Sequence, residues 1–191
     1  MDIRMIQVSK QYGANQVLKD LNLTFQEGRC HCLMGPSGIG KTTVINLLMG
    51  LENPDSGSIL GMEGRRVAAC FQEDRLIEHL DAISNVKLVC DKRITKEIVE
   101  EELNKVGLID YIDKPVSALS GGMKRRVAIV RALLASSDLV IMDEPFKGLD
   151  QELKYRVINY IIEKTKGKTL IIITHDKEDV KRLEANLILL S

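Results

Sequence analysis

Apolar and polar positions follow two rhythms along this chain. Short runs of consecutive or alternating apolar residues are separated by longer stretches in which apolar residues recur every three or four positions. That alternation predicts strands with helices packed on them, an α/β fold with a mainly parallel sheet. Ile3 to Val8 and Val17 to Phe25 read as strands around a turn at Gly13-Ala14-Asn15, and Arg29 to Met34 as a third strand running into a glycine-rich loop. A helix from about Thr42 to Leu51 follows, expected to stop at Asn53-Pro54-Asp55, because the residue before a proline avoids the helical region. Ser58 to Leu60 and Arg66 to Phe71 read as further strands. Beyond them Ile98, Val99, Leu103 and Val106 share one helical face with Thr95 placed as N-cap, so residues 73–118 read as a helical insert. The strand–helix rhythm resumes at Gly121, with a helix to about Ala135, a strand Leu139 to Met142 and a helix from about Gln151 to Lys166. A strand Thr169 to Ile173, a last helix and a strand Asn186 to Leu190 complete the pattern.

Composition narrows the class. The 191 residues carry 27 Lys plus Arg against 27 Asp plus Glu, a net charge of zero. This is one domain's worth of chain, with enough length to bury a core without a metal or disulfide. The balance lacks the concentrated basic surface that a nucleic-acid partner demands. The longest apolar runs, such as Leu170 to Ile173, fall far short of the roughly 20 residues of a membrane-spanning helix. Met1-Asp2-Ile3-Arg4 has no basic-then-apolar start of a secretory signal, so the expected location is the cytoplasm. Cys30, Cys32, Cys70 and Cys90 match neither a zinc spacing nor a disulfide framework, and are expected to be buried free thiols.

Three predicted strand ends carry chemistry. Gly35-Pro36-Ser37-Gly38-Ile39-Gly40-Lys41-Thr42 matches G-x-x-x-x-G-K-[ST] between a strand and a helix. Such a loop turns successive N–H groups toward a phosphate, Lys41 reaches the outer phosphate oxygens, and the Thr42 hydroxyl is offered to Mg²⁺. A nucleoside triphosphate is the expected ligand. Leu139 to Met142 ends in Asp143-Glu144-Pro145, where Asp143 would hold Mg²⁺ and Glu144 would orient the attacking water. His175 follows the strand Thr169 to Thr174 and would bond the γ-phosphate.

With Leu119-Ser120-Gly121-Gly122-Met123, these residues resemble the ATP-binding subunit of ATP-binding-cassette (ABC) transporters over nearly the whole chain. The resemblance implies an ATP hydrolase whose core is about 1–72 and 119–191 and whose helical subdomain is about 73–118. It makes Tyr12 the adenine-stacking aromatic, Thr43 a further nucleotide contact, Gln72 a catalytic-loop residue that helps hold Mg²⁺, and Asp150 a residue crossing a subunit interface. Ser120 before two glycines caps a helix start, a second phosphate cradle. In the family this cradle serves the partner's ATP, so the resemblance implies a head-to-tail homodimer or pseudo-dimer on the cytoplasmic face of the membrane. A transmembrane permease and an extracellular substrate-binding protein are the further implied partners. Phe71 to Leu76, Met123 and Phe146 look like the nitrate, sulfonate and taurine importers, although Ile77-Glu78-His79 departs from that branch. The short interval from Lys41 to Gln72 implies a reduced antiparallel β subdomain. An exporter, a lipoprotein- or lipid-extracting complex and a soluble ABC ATPase are the alternatives; the interval from Lys41 to Ser120 is too short, and without heptads, for the coiled-coil arms of DNA-repair members.

Overall fold

The computed structural model describes residues 1–191. Ile3–Tyr12 (β1) and Asn15–Phe25 (β2) form a hairpin that Ser56–Leu60 (β4) extends into a three-stranded antiparallel sheet in the order β2-β1-β4. Cys30–Met34 (β3), Val67–Cys70 (β5), Leu139–Asp143 (β6), Thr169–Ile173 (β7) and Asn186–Leu189 (β8) make a parallel sheet in the order β5-β6-β7-β3-β8. The helices are Lys41–Leu48 (α1), Ala82–Lys87 (α2), Lys96–Lys105 (α3), Gly121–Leu134 (α4), Gln151–Lys164 (α5) and Lys177–Arg182 (α6). None is long and apolar enough to cross a membrane.

The central strands β6 and β7 are buried on both faces, which is why they read as unbroken apolar runs. Their alternate residues divide between two cores. Leu139, Ile141, Ile171 and Ile173 join α1 and the antiparallel sheet, whereas Val140, Met142, Leu170 and Ile172 join α4, α5 and the segment 73–118. The helices of that segment share one continuous apolar cluster with the parallel sheet: Val86, Val99 and Leu103 pack into the same body as Val127, Met142 and Ile161.

Several local expectations need correction. Helix α1 stops at Leu48, well before Pro54. Gly50 takes φ 68°, and the N–H groups of Gly50 and Leu51 return to the carbonyls of Leu47 and Asn46 at 3.1 and 3.0 Å. That left-handed C-terminal cap, which glycine adopts without steric cost, ends the helix before the proline can. The hairpin loop is two residues long, since Asn15 already pairs with Tyr12. Helix α2 has no periodic signature of its own: six residues are too few for a clear period, and its signal is the Asp81 cap, which accepts from the Ser84 N–H at 2.6 Å. Thr95 caps α3 as expected, accepting from Ile98 at 3.4 Å. All four cysteines are free, but Cys30 and Cys90 are only half-buried.

Candidate functional site

The strand order brings four candidate segments to one edge. The loop Gly35–Gly40 leaves β3, His175 lies just beyond β7, Asp143–Glu144 closes β6 and Gln72 follows β5, on four consecutive parallel strands. Ligands of open α/β sheets bind outside these carboxyl ends.

Gly40 is the N-cap of α1 at φ 102°, a backbone region that side chains rarely tolerate, and a Cβ there would lie 2.6 Å from Leu18 Cδ2. No side chain caps this helix, so its first-turn N–H groups remain directed into the loop. Lys41 is buried, and its Nζ donates to the carbonyls of Gly35 and Pro36 at 2.8 Å each. Val17, Gly38, Gly40, Lys41, Thr42 and Thr43 line a cavity of about 250 Å³. Pro36 and Ser37 are exposed in the loop, while the Ile39 side chain turns inward against the core. Tyr12 stands exposed at the end of β1, its hydroxyl bonded to the Glu52 carboxylate and approached by Thr43 of α1.

Asp143 is buried, and desolvation together with the neighbouring Glu144 charge pushes its carboxyl above the usual range against Arg125, Lys41 and the Thr42 hydroxyl. Glu144 occupies the left-handed region at φ 47°. Its Oε1 lies 2.9 Å from His175 Nε2 and its Oε2 3.8 Å from Lys147 Nζ. Glu144 and His175 border a second cavity of about 420 Å³. In the lining of the same cavity Lys154 Nζ pairs with Asp179 at 2.5 Å and Asp176 at 2.6 Å, and the Thr174 hydroxyl donates to Asp179 at 2.6 Å. The segment bearing His175 is therefore anchored on both sides of the histidine. Gln72 lies on an exposed loop, where its carbonyl accepts from Arg125.

Ser120 caps α4, its Oγ accepting from the Met123 N–H at 3.3 Å. Gly121 is exposed beside it, and a Cβ on Gly122 would come within 3.2 Å of the Gly148 carbonyl. Asp150 caps α5 through the Leu153 N–H at 2.9 Å. Ser120, Gly121, Gly122 and Asp150 thus gather near one another, and none of them lines either cavity at the phosphate loop.

The donor set suits Mg²⁺ and a phosphate chain. Asp143 and Thr42 are hard oxygen donors, and no group of three or more His, Cys, Asp or Glu forms a cage of its own. Magnesium is ordinarily held by one or two carboxylates with substrate phosphates, not by an all-protein cage. Arg125, absent from the sequence-based candidates, joins the carboxylate strand to the Gln72 loop. Its only sequence signal is a charged residue two positions before the apolar run of a helix, and nothing local distinguishes it from its neighbours Lys124 and Arg126.

The profile of the family described as ABC transporter matches residues 18–147. The chain belongs to the ABC transporter family. Among its relatives, the spermidine/putrescine import ATP-binding protein PotA of Fusobacterium nucleatum is 37% identical over 93% of this chain and 52% of that protein. The L-cystine import ATP-binding protein TcyN of Bacillus subtilis is 35% identical over 97% of this chain and 81% of that protein. The sulfate/thiosulfate import ATP-binding protein CysA of Synechococcus elongatus is 34% identical over 99% of this chain and 60% of that protein. The chain thus spans little more than half the length of the polyamine relative. A dimeric ATP-binding cassette solved in a post-hydrolysis state with ADP and Pi superimposes at a TM-score of 0.86, with 25% identity, 99% of this chain and 94% of that one covered. The relatives' names divide among polyamines, cystine and sulfate, a wider spread of importers than the nitrate, sulfonate and taurine branch that Phe71 to Leu76 resembles.

Proposed function

We propose that this ABC chain binds and hydrolyses ATP and is the motor subunit of an importer. The observation that carries the reading is the 2.9 Å contact between Glu144 and His175, at strand ends beside the phosphate loop that holds Lys41. The loop N–H groups and the Lys41 ammonium bind the phosphate chain, and Lys41 exchanges its two carbonyl partners for phosphate oxygens. Asp143 and Thr42, with Gln72 from the adjoining loop, would hold Mg²⁺, which when bound neutralises charge on the phosphates. Glu144 accepts a hydrogen from water and aims its oxygen. The His175 Nε2–H donates to that carboxylate in the free chain and would turn from it to the developing phosphate charge once nucleotide is bound.

Ser120, Gly121, Gly122 and Asp150 serve a second copy, head to tail, and this is supported by the exposure of Ser120, Gly121 and Asp150 and by the dimeric form of the superimposed cassette. ATP held between two such copies closes the pair, and cleavage releases it. The segment 73–118 is the helical subdomain against the core at 1–72 and 119–191. Exposed Ile77, Leu88, Val89 and Ile109 on that subdomain support docking on a permease at the cytoplasmic face of the membrane. An extracellular substrate-binding protein completes the importer. The relatives' importer names favour import over export, and Phe71 to Leu76, Met123 and Phe146 support a small anion such as a sulfonate or nitrate as cargo.

Glu144→Gln is expected to lower ATP turnover by about 10²–10³-fold, in the range of a lost general base. ATP binding should persist, and size-exclusion chromatography with Mg-ATP should trap a dimer. Turnover at the native rate in this variant would overturn the assignment of Glu144.

A further inference from the structure

Arg125 sits in the second turn of α4 and is 4% exposed. Its Nη1 donates to the Phe71 carbonyl, to the Gln72 carbonyl at 3.4 Å and to Asp74 Oδ1 at 3.0 Å. Its Nη2 donates to the Asp143 carbonyl and to the Glu144 carbonyl at 2.8 Å. The buried Nε has no partner. The group is therefore oriented for the two loops at the expense of one of its own donors. A simple ion pair with Asp74 would use one Nη and leave the other four acceptors unexplained.

Arg131, further along α4, donates to the carbonyls of Arg75 and Asp74 at 2.9 and 2.8 Å but reaches nothing on β6. Arg125 alone spans both loops. A guanidinium is a rigid plane, so loops bound to its two Nη groups keep a fixed separation. The helix that carries it begins at Ser120.

We propose that Arg125 is a positioning residue that sets the Gln72 loop against Glu144 and makes α4 move with them. Through it, the site that cleaves ATP is joined to the Ser120 cradle that serves the opposite copy. The functional half of this proposal rests on the ATPase reading above. The mechanical half, a clamp between two loops, stands on hydrogen bonds in the free chain.

The test is amide hydrogen exchange on the full nucleotide-free chain, comparing the native protein with Arg125→Lys and Arg131→Lys. Lysine keeps the charge but has one nitrogen and cannot bridge both loops. In Arg125→Lys, the Ile77 amide, which donates to Asn85 at the end of the Gln72 loop, and the Glu144 and Lys147 amides, which donate to the Ile173 and Glu144 carbonyls, are all expected to exchange at least 10-fold faster, with Cys30 to Leu48 unchanged. Arg131→Lys should speed the Ile77 amide alone. For Arg125→Lys the proposal further expects kcat at least 10-fold lower, with the affinity for ATP measured without Mg²⁺ within 3-fold of native. Loosening of neither loop, of only one, or of the whole chain would overturn the clamp, as would a native kcat. Should Arg125→Lys fail to fold, Arg125→Gln is read in the same way. A native chain that hydrolyses no ATP would defeat the ATPase reading, while the exchange pattern still decides the clamp.

Discussion

Two helix starts in this molecule are candidate anion cradles, and they are built differently. Helix α1 begins at Gly40 with no side-chain cap, a buried lysine and a cavity lined by its own loop. Helix α4 begins at Ser120, whose hydroxyl already satisfies one backbone N–H, and its first glycine lies exposed outside both cavities. The first cradle gathers charge, backbone donors and walls from one chain. The second supplies a hydroxyl, N–H groups and a helix dipole, but its residues line neither of the two cavities. A site of the first kind is expected to bind alone, and one of the second kind only when another surface closes over it.

The sharpest way to break this contrast is to damage each start separately. Lys41→Ala is expected to weaken ATP binding by about 100-fold, since a charge-assisted bond to phosphate is worth about 1.5–3 kcal/mol. Ser120→Arg should leave the affinity of the isolated chain within about 2-fold, on the scale of surface changes, yet abolish the ATP-dependent dimer. Isothermal titration and light scattering with Mg-ATP separate the two outcomes. Equal loss of monomer affinity in both variants would mean that the cradles act as one site.

A smaller effect concerns the support of α4. Arg126 donates to the carbonyls of Val106 and Gly107 at 2.7 and 2.8 Å, tying α4 to the end of α3. Helix α3 is in turn fixed to α5 by Glu102, which pairs with Lys164 at 2.7 Å and Lys105 at 2.8 Å and accepts from the Tyr160 hydroxyl at 2.8 Å. Burial works to raise the Glu102 carboxyl, but the two lysines and the tyrosine outweigh it and hold it below the usual range. A carboxyl depressed in the folded state contributes stability that is present above its unfolded pKa of about 4.3 and is lost as pH falls through the folded value. Glu102→Gln should therefore cost about 1–2 kcal/mol at neutral pH and flatten the decline of Tm on the acid side of about pH 4.3. An unchanged acid limb in thermal melts from pH 7 to 3 would remove Glu102 from this role.

The smallest expected effect isolates the cap itself. Ser120→Ala should cost about 1 kcal/mol of stability through the lost bond to Met123, with monomer ATP affinity unchanged. Equilibrium denaturation beside nucleotide titration checks both. A fall in monomer affinity would place the Ser120 hydroxyl in its own chain's site.

The candidate site was legible wherever its chemistry is local. The phosphate loop and the Asp143-Glu144 pair each keep their parts within a few residues of one another, so spacing exposes them, and the Ser120-Gly-Gly start is as local, legible through the family resemblance. The central strands were equally legible, because burial on both faces makes β6 and β7 continuously apolar. Boundaries were less so. Pro54 is the stronger local stop signal, yet the left-handed turn at Gly50 ends α1 first, and the short α2 holds no readable period.

What the chain's order of residues determined by itself was therefore the fold class, the family and the candidate groups for a phosphate site. Tertiary structure decided what those groups lean on. Whether Glu144 touches His175, whether Lys154 anchors the residues around that histidine, and whether Arg125 reaches both Gln72 and Asp143 all depend on which strands lie side by side. That order, β5-β6-β7-β3, is set by the burial of whole apolar faces. An arginine on a helix carries no local mark of the carbonyls it will meet, because its partners arrive from distant strands only after the sheet has closed.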